Sequence, residues 1–87
     1  MSLQTRLAEL IAQEIRQAGR KPPVVEPSTI LATTGLDSLG FATLIVAMER
    51  EFGLDPFGGS DDIIYPETFG ELLDLYEAES GRANRNP

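Results

Sequence analysis

The segment Gly35-Leu36-Asp37-Ser38-Leu39 contains the residue pair whose types and spacing could support chemistry in this chain. Asp and Ser are both common at helix starts, where their side-chain oxygens accept hydrogen bonds from free backbone N–H groups. One interpretation of Asp37-Ser38 is therefore a simple helix cap. A second is a modification site, because a phosphate attached to a serine at a helix N-terminus is stabilised by free amides and the helix dipole.

A third interpretation, a serine nucleophile, fails on two counts. The G-x-S-x-G turn of serine hydrolases would require glycine at position 36, where Leu36 stands. The sequence also has no His and no Cys, so the usual general base and the usual activated nucleophile are both missing. We therefore expect no enzymatic activity, no disulfide and no thiolate metal site.

The charge is concentrated in the middle of the chain. The formal net charge is −7, and residues 26–79 carry twelve acidic residues against Arg50 as the single basic one. Such a field repels nucleic-acid phosphates and anionic lipids, so neither nucleic acid nor a membrane is an expected partner, whereas proteins with basic patches are favoured. No apolar run approaches the ~18 residues of a membrane span, and no secretory pattern opens the chain, so a cytoplasmic location is expected.

A dedicated metal site is not predicted. The acidic residues Asp55, Asp61 and Asp62 flank Gly58-Gly59, but they lack the alternating ligand spacing and the distal glutamate of a calcium loop.

Helical spacing dominates the hydrophobic pattern, and no alternating run indicates a strand. A first helix is predicted from residue 3 to Gly19, followed by a long loop over residues 20–36 that contains three prolines. Ile30 and Leu31 are expected to anchor this loop in the core.

The second helix is predicted to run from Asp37-Ser38 to Phe52, with Gly53 as its stop. One short helical turn is expected within residues 54–65. The last helix begins at the capping box Thr68-Phe69-Gly70-Glu71 and is expected to fray near Gly81. The predicted fold is all-α: three main helices and one short helix in a single domain over residues 1–81, with a disordered tail over 82–87.

The middle helix is apolar on two sides. One stripe is expected to be buried, and it consists of Phe41, Leu44, Ile45, Met48 and Phe52. The other consists of Leu39, Ala42 and Val46, and a chain of 87 residues has too little protein to cover both. We expect this second stripe to be exposed as a contact surface for a partner, with Thr43 and Glu49 beside it.

The Asp37-Ser38-Leu39 motif, followed by an apolar helix that closes in Met48-Glu49-Arg50-Glu51-Phe52-Gly53, resembles the acyl carrier protein family. The similarity in element order covers about residues 3–80. It implies that Ser38 carries a 4′-phosphopantetheine arm, transferred from coenzyme A by a separate phosphopantetheinyl transferase. It places Asp37 where the transferase and its magnesium ion act, beside its role as a cap. The imported thiol would explain how a chain without Cys holds acyl or aminoacyl cargo as a thioester.

The resemblance also implies a monomer that meets a loading ligase and downstream transferases or synthases. In fatty-acid carriers the residue after this motif and another three positions later are usually acidic, whereas Gly40 and Thr43 stand here. This difference favours a specialised carrier over the general fatty-acid type. The alternative is a small acidic adaptor that binds one protein partner through Leu39, Ala42 and Val46 and carries no prosthetic group.

Overall fold

The computed structural model describes residues 2–58 and 65–85, and within these ranges the protein is all-α. Three α-helices are present: α1 (Leu3–Gln17), α2 (Ser38–Phe52) and α3 (Phe69–Arg85). A 3-10 turn over Leu31–Thr33, which the sequence pattern did not predict, lies in the first loop. The predicted fold class is confirmed. Of residues 54–65, where one short helical turn is expected, 54–58 contain a turn but no helix, and 59–64 lie outside the described residues.

The first helix begins and ends at residues whose chemistry explains its limits. The Ser2 hydroxyl accepts a hydrogen bond from the Thr5 N–H at 3.1 Å, which satisfies one of the unpaired donors of the first turn. At the other end Gly19 adopts a φ of +80°, and the Arg20 N–H bonds back to the Ile15 carbonyl at 3.1 Å. This left-handed glycine closes the helix where the sequence predicts it.

The core forms because α1 packs against both α2 and α3. Each helix contributes the stripe that its periodicity predicts: Leu7, Leu10, Ile11 and Ile15 from α1, Phe41, Leu44 and Met48 from α2, and Phe69, Leu72, Leu73 and Tyr76 from α3. Phe52 departs from the prediction, since more than a third of its surface is exposed. It is the last residue of α2 and lies at the end of the bundle, where no further helical turn covers it.

The long first loop is tied to the start of α3 by backbone hydrogen bonds. The Leu31 N–H donates to the Glu67 carbonyl at 2.8 Å, and the Phe69 and Gly70 N–H groups donate to loop carbonyls at 2.9 Å. Leu31 is buried as expected, but Ile30 is half exposed, which corrects the prediction for that residue. The reason is the extended backbone at this point, where successive side chains point in opposite directions.

The capping box of α3 forms with a variation in its second bond. The Thr68 hydroxyl accepts from the Glu71 N–H at 3.1 Å, while the Glu71 carboxylate accepts from the Glu67 N–H at 2.7 Å. The helix then continues to Arg85. This corrects two expectations: that the helix frays near Gly81, and that residues 82–85 belong to a disordered tail. A single exposed glycine costs only about 1 kcal/mol in a helix, which later turns can offset.

Two glycines of α3 give a matched test of this packing. A Cβ at Gly70 would lie 2.9 Å from the Pro27 carbonyl oxygen, whereas a Cβ at Gly81 would meet nothing within 4 Å. We expect Gly70→Ala to destabilise the protein by about 1–3 kcal/mol because the loop must move. Gly81→Ala should stabilise it by about 0.5–1 kcal/mol through helix propensity. Urea unfolding measures both, and equal effects would contradict the loop contact.

Candidate functional site

The backbone that leads into α2 is held by three local contacts. The buried Thr34 hydroxyl donates to the Leu31 carbonyl at 2.7 Å and accepts from the Leu36 N–H at 3.2 Å. Gly35 adopts a φ of +94°, a conformation that favours glycine, and this reverses the chain before the helix. The Arg20 guanidinium donates to the Gly35 carbonyl at 2.9 Å. The turn that precedes α2 is thus held by the Thr34 hydroxyl and by the Arg20 guanidinium.

Asp37 caps α2, as the sequence predicts. Its Oδ1 accepts a hydrogen bond from the Gly40 N–H at 2.7 Å, and its Oδ2 lies 3.4 Å from the Arg20 Nη1. The Gly40 N–H and then the Arg20 guanidinium hold the pKa of the Asp37 carboxyl below its ordinary value of 3.8. The carboxylate is therefore ionised at neutral pH and already engaged inside the protein.

Ser38 is the first residue of α2 and is exposed to solvent. Its hydroxyl makes no hydrogen bond to any part of the chain that the structure describes. With the Gly40 N–H taken by Asp37, the N–H groups of Ser38 and Leu39 are the donors of the first turn that bond to no described residue. These features suit a covalently attached phosphate at this hydroxyl, because the anion would find free amides and the positive end of the helix.

An open apolar groove of about 350 Å³ begins at Ser38. Its lining consists of Leu31, Ala32, Leu36, Asp37, Ser38, Phe41, Tyr65 and Pro66. Asp37 is the one charged residue among the lining residues that lie in the described ranges. The sequence pattern gave no sign of the groove, because its walls come from the loop, from α2 and from the segment before α3.

Aromatic rings support the wall of this groove. The Phe41 ring packs edge-on against Tyr65 at 5.3 Å and against Phe57 at 6.1 Å between ring centres, and Phe57 packs edge-on against Tyr76 at 6.4 Å. Tyr76 is fully buried, and burial, followed by the nearby charge of Asp55, raises its pKa to about 12. The Tyr76 phenol therefore stays neutral, and the Tyr76 ring packs in the core.

The remaining predicted site residues lie along the exposed side of α2. Leu39 is 75% exposed and Val46 48% exposed, and Ala42, Thr43 and Glu49 are also exposed. We refer to these five residues as the α2 face. The Thr43 hydroxyl is used internally, since it donates to the Leu39 carbonyl at 3.0 Å. The predicted exposure is confirmed, and the resulting surface is mainly apolar.

Two acidic side chains, one at each end of α2, are paired with arginines from the preceding helix and loop. Arg6 binds Glu51 through two hydrogen bonds of 2.6 and 2.8 Å, which link the first turns of α1 to the last turn of α2. This pairing lowers the pKa of Glu51. Together with the Arg20–Asp37 pair it neutralises two of the carboxylates at the ends of α2. Sequence reasoning missed both arginines, because nothing local marks a cation that acts across helices.

No metal centre is present among the described residues, where no group of three or more potential ligands comes together. Asp61 and Asp62, part of the acidic cluster considered above, lie outside the described ranges. None of the helices in these ranges combines the length and apolar character that a bilayer-spanning segment requires.

The cap of α2 gives a pH-dependent prediction. Because the pKa of Asp37 is lower folded than unfolded, its stabilising effect is present above the unfolded pKa and is lost as pH falls through the folded pKa. Asp37→Ala should lower Tm at pH 7 by about 4 °C, whereas Asp37→Asn, which keeps an acceptor, should lower it less. Circular dichroism melts should show the gap in Tm between wild type and Asp37→Asn closing as the pH falls through the folded pKa of Asp37. A gap of constant size would contradict this account.

Comparison with known proteins agrees with this geometry. The sequence profile of the phosphopantetheine attachment site matches residues 5–56, which span α1, the first loop, α2 and the segment just after it. The solution structure of MacpD, an acyl carrier protein from Pseudomonas fluorescens involved in mupirocin biosynthesis, has the same fold with a TM-score of 0.71. The alignment covers 98% of this chain and 86% of that one at 24% identity. The comparison with curated proteins finds no match.

The profile match covers more than half of the chain and includes the exposed serine at the start of α2. The cofactor of this family is 4′-phosphopantetheine, and its members carry cargo rather than catalyse reactions. The chain therefore belongs to the phosphopantetheine-binding carrier proteins and is not an enzyme.

Proposed function

We propose that Ser38 is the attachment residue for 4′-phosphopantetheine and that the chain presents an acyl group to partner enzymes. The observation that carries the proposal is an exposed hydroxyl, bonded to no described residue, at the first position of a capped helix. The profile match includes this position, which supports the assignment.

The residues around Ser38 fit such a group. The Oγ of Ser38 would form the phosphodiester, and the N–H groups of Ser38 and Leu39 are available to the phosphate. The attached group supplies the thiol that this chain lacks and so allows cargo to be held as a thioester. The chain itself fixes the point of attachment and raises the effective concentration of the cargo near a bound partner.

The groove beside Ser38 favours an acyl over an aminoacyl cargo. An ammonium group in this groove would need a partner, and among the described residues of the lining the one carboxylate, Asp37, already binds the Gly40 N–H and Arg20. An uncharged chain meets Leu36 and Phe41 instead, which gains from burial of apolar surface. That MacpD is an acyl carrier protein supports the same choice.

The α2 face is the proposed contact surface for a phosphopantetheinyl transferase, a loading ligase and the downstream transferases or synthases. Leu39 and Val46 supply apolar area close to Ser38, and Glu49 supplies the charge at the far end. A groove of about 420 Å³ between α1 and α2 borders this face at Thr43 and Val46. The protein would act as a monomer, because each partner must reach the same exposed hydroxyl of Ser38. It would act in the cytoplasm.

Loading at Ser38 is tested by intact mass spectrometry. After incubation with coenzyme A and a broad-specificity phosphopantetheinyl transferase, wild type should gain the mass of one phosphopantetheine. Ser38→Ala should gain none, because no other hydroxyl is expected to be modified. Ser28→Ala is the matched control, since Ser28 is also exposed but lies in the first loop, and it should be loaded like wild type.

A gain of mass by Ser38→Ala would contradict the assignment. The same measurement on protein purified from its native host identifies the cargo. An acyl mass on Ser38 is expected, whereas an aminoacyl mass would refute the acyl proposal.

The α2 face is tested by making the same substitution, valine to aspartate, at two positions. Val46→Asp places a charge in the α2 face, and Val24→Asp places the same charge on an 86% exposed residue of the first loop. We expect Val46→Asp to lower kcat/KM for loading by the transferase about tenfold, because apolar contact is lost and a carboxylate is desolvated. Val24→Asp should leave it unchanged. Equal rates for both variants, with unchanged Tm, would exclude the α2 face as the transferase contact.

A further inference from the structure

Arg20 links the end of α1 to the start of α2. Its Nη1 donates to the Gly35 carbonyl at 2.9 Å and lies 3.4 Å from the Asp37 Oδ2. Its aliphatic stem lies against Gly35, where a Cβ would come within 3.2 Å of the Arg20 Cδ. The guanidinium is therefore held in place by a turn in which glycine leaves room for it.

Arg20 stands between carboxylates at this end of the molecule. A hollow of about 360 Å³ between α1 and α2 is lined by Glu14, Asp37 and Arg20, together with uncharged residues. Arg20 is the one cation among the described residues of that lining. An anion added at Ser38 would stand one residue from Asp37, so the local excess of negative charge would grow.

We infer that Arg20 is a positioning residue that keeps the Asp37 cap in place when Ser38 carries its phosphodiester. The inference rests on the proposed attachment at Ser38. A phosphodiester repels the Asp37 carboxylate and competes with it for the amides of the first turn. The guanidinium beside the Asp37 Oδ2 offsets that repulsion, so Oδ1 retains the Gly40 N–H.

The experiment is a cycle that combines loading with removal of Arg20. Wild type, Arg20→Gln and Arg20→Lys are compared in the apo and loaded forms, with loading confirmed by intact mass. Arg16→Gln is the matched control, because Arg16 is an exposed arginine of α1 that forms no ion pair with a described residue. The readouts are hydrogen exchange of the Gly40 amide and Tm, neither of which depends on cargo transfer.

In wild type, Arg20→Lys and Arg16→Gln, loading should change Gly40 exchange by less than about twofold, because a cation remains beside Asp37. In Arg20→Gln, loading should accelerate it several-fold and lower Tm by about 2 °C more than in wild type. A purely structural role for Arg20 would alter apo and loaded forms equally. If Arg20→Gln does not fold, Arg20→Met, which keeps the stem over Gly35, takes its place.

Equal effects of loading on wild type and Arg20→Gln would overturn the inference and leave the attachment at Ser38 intact. An Arg16→Gln variant that behaves like Arg20→Gln would also overturn it, because the effect would then follow from net charge alone. Failure of wild type to be loaded at Ser38 would overturn both this inference and the proposed function.

Discussion

The hydrogen bond from the Gly40 N–H to the Asp37 carboxylate fixes where α2 begins, and the exposure of Ser38 depends on it. With Asp37 as the cap, Ser38 is the first helical residue, so its side chain lies at the end of the helix and outside the packed stripe. Gly40 is buried against α1 and has no side chain, and a Cβ there would lie 3.0 Å from Leu36. The missing side chain thus leaves room for the Leu36 side chain against the first turn of α2.

The long first loop can position this helix because it is anchored at two distant points. Its middle is hydrogen-bonded to residues 67–70 at the start of α3, and its end is held by Thr34 and Gly35. The bonds to α3 also satisfy donors of the first turn of that helix, at Phe69 and Gly70. One set of backbone bonds therefore stabilises a helix end and fixes the backbone that leads to Ser38. A loop without those anchors would leave the start of α2 to its cap alone.

Local signals predicted the three helices and the caps of α2 and α3, because periodicity, capping chemistry and a left-handed glycine act within a few residues. The features that escaped prediction depend on residues far apart in the chain. The backbone bridge between Ile30 and Thr68 joins two segments that share no sequence pattern. At this bridge the Ile30 side chain is half exposed. The groove beside Ser38 likewise needs Tyr65 and Leu36 to meet, which only the folded chain brings about.

The charge of the protein and the charge of its contact surface are separate properties. The chain carries −7 overall, yet Glu51 and Asp37 at the two ends of α2 are paired with Arg6 and Arg20 of the preceding helix and loop. The acidic field can steer a partner from a distance, because the excess of carboxylates over basic residues dominates the field far from the surface. On the proposed contact surface Leu39 and Val46 are exposed, so close contact there would depend more on apolar burial than on ion pairing. A partner that binds the proposed surface would therefore offer apolar area of its own, whatever basic charge it uses to approach.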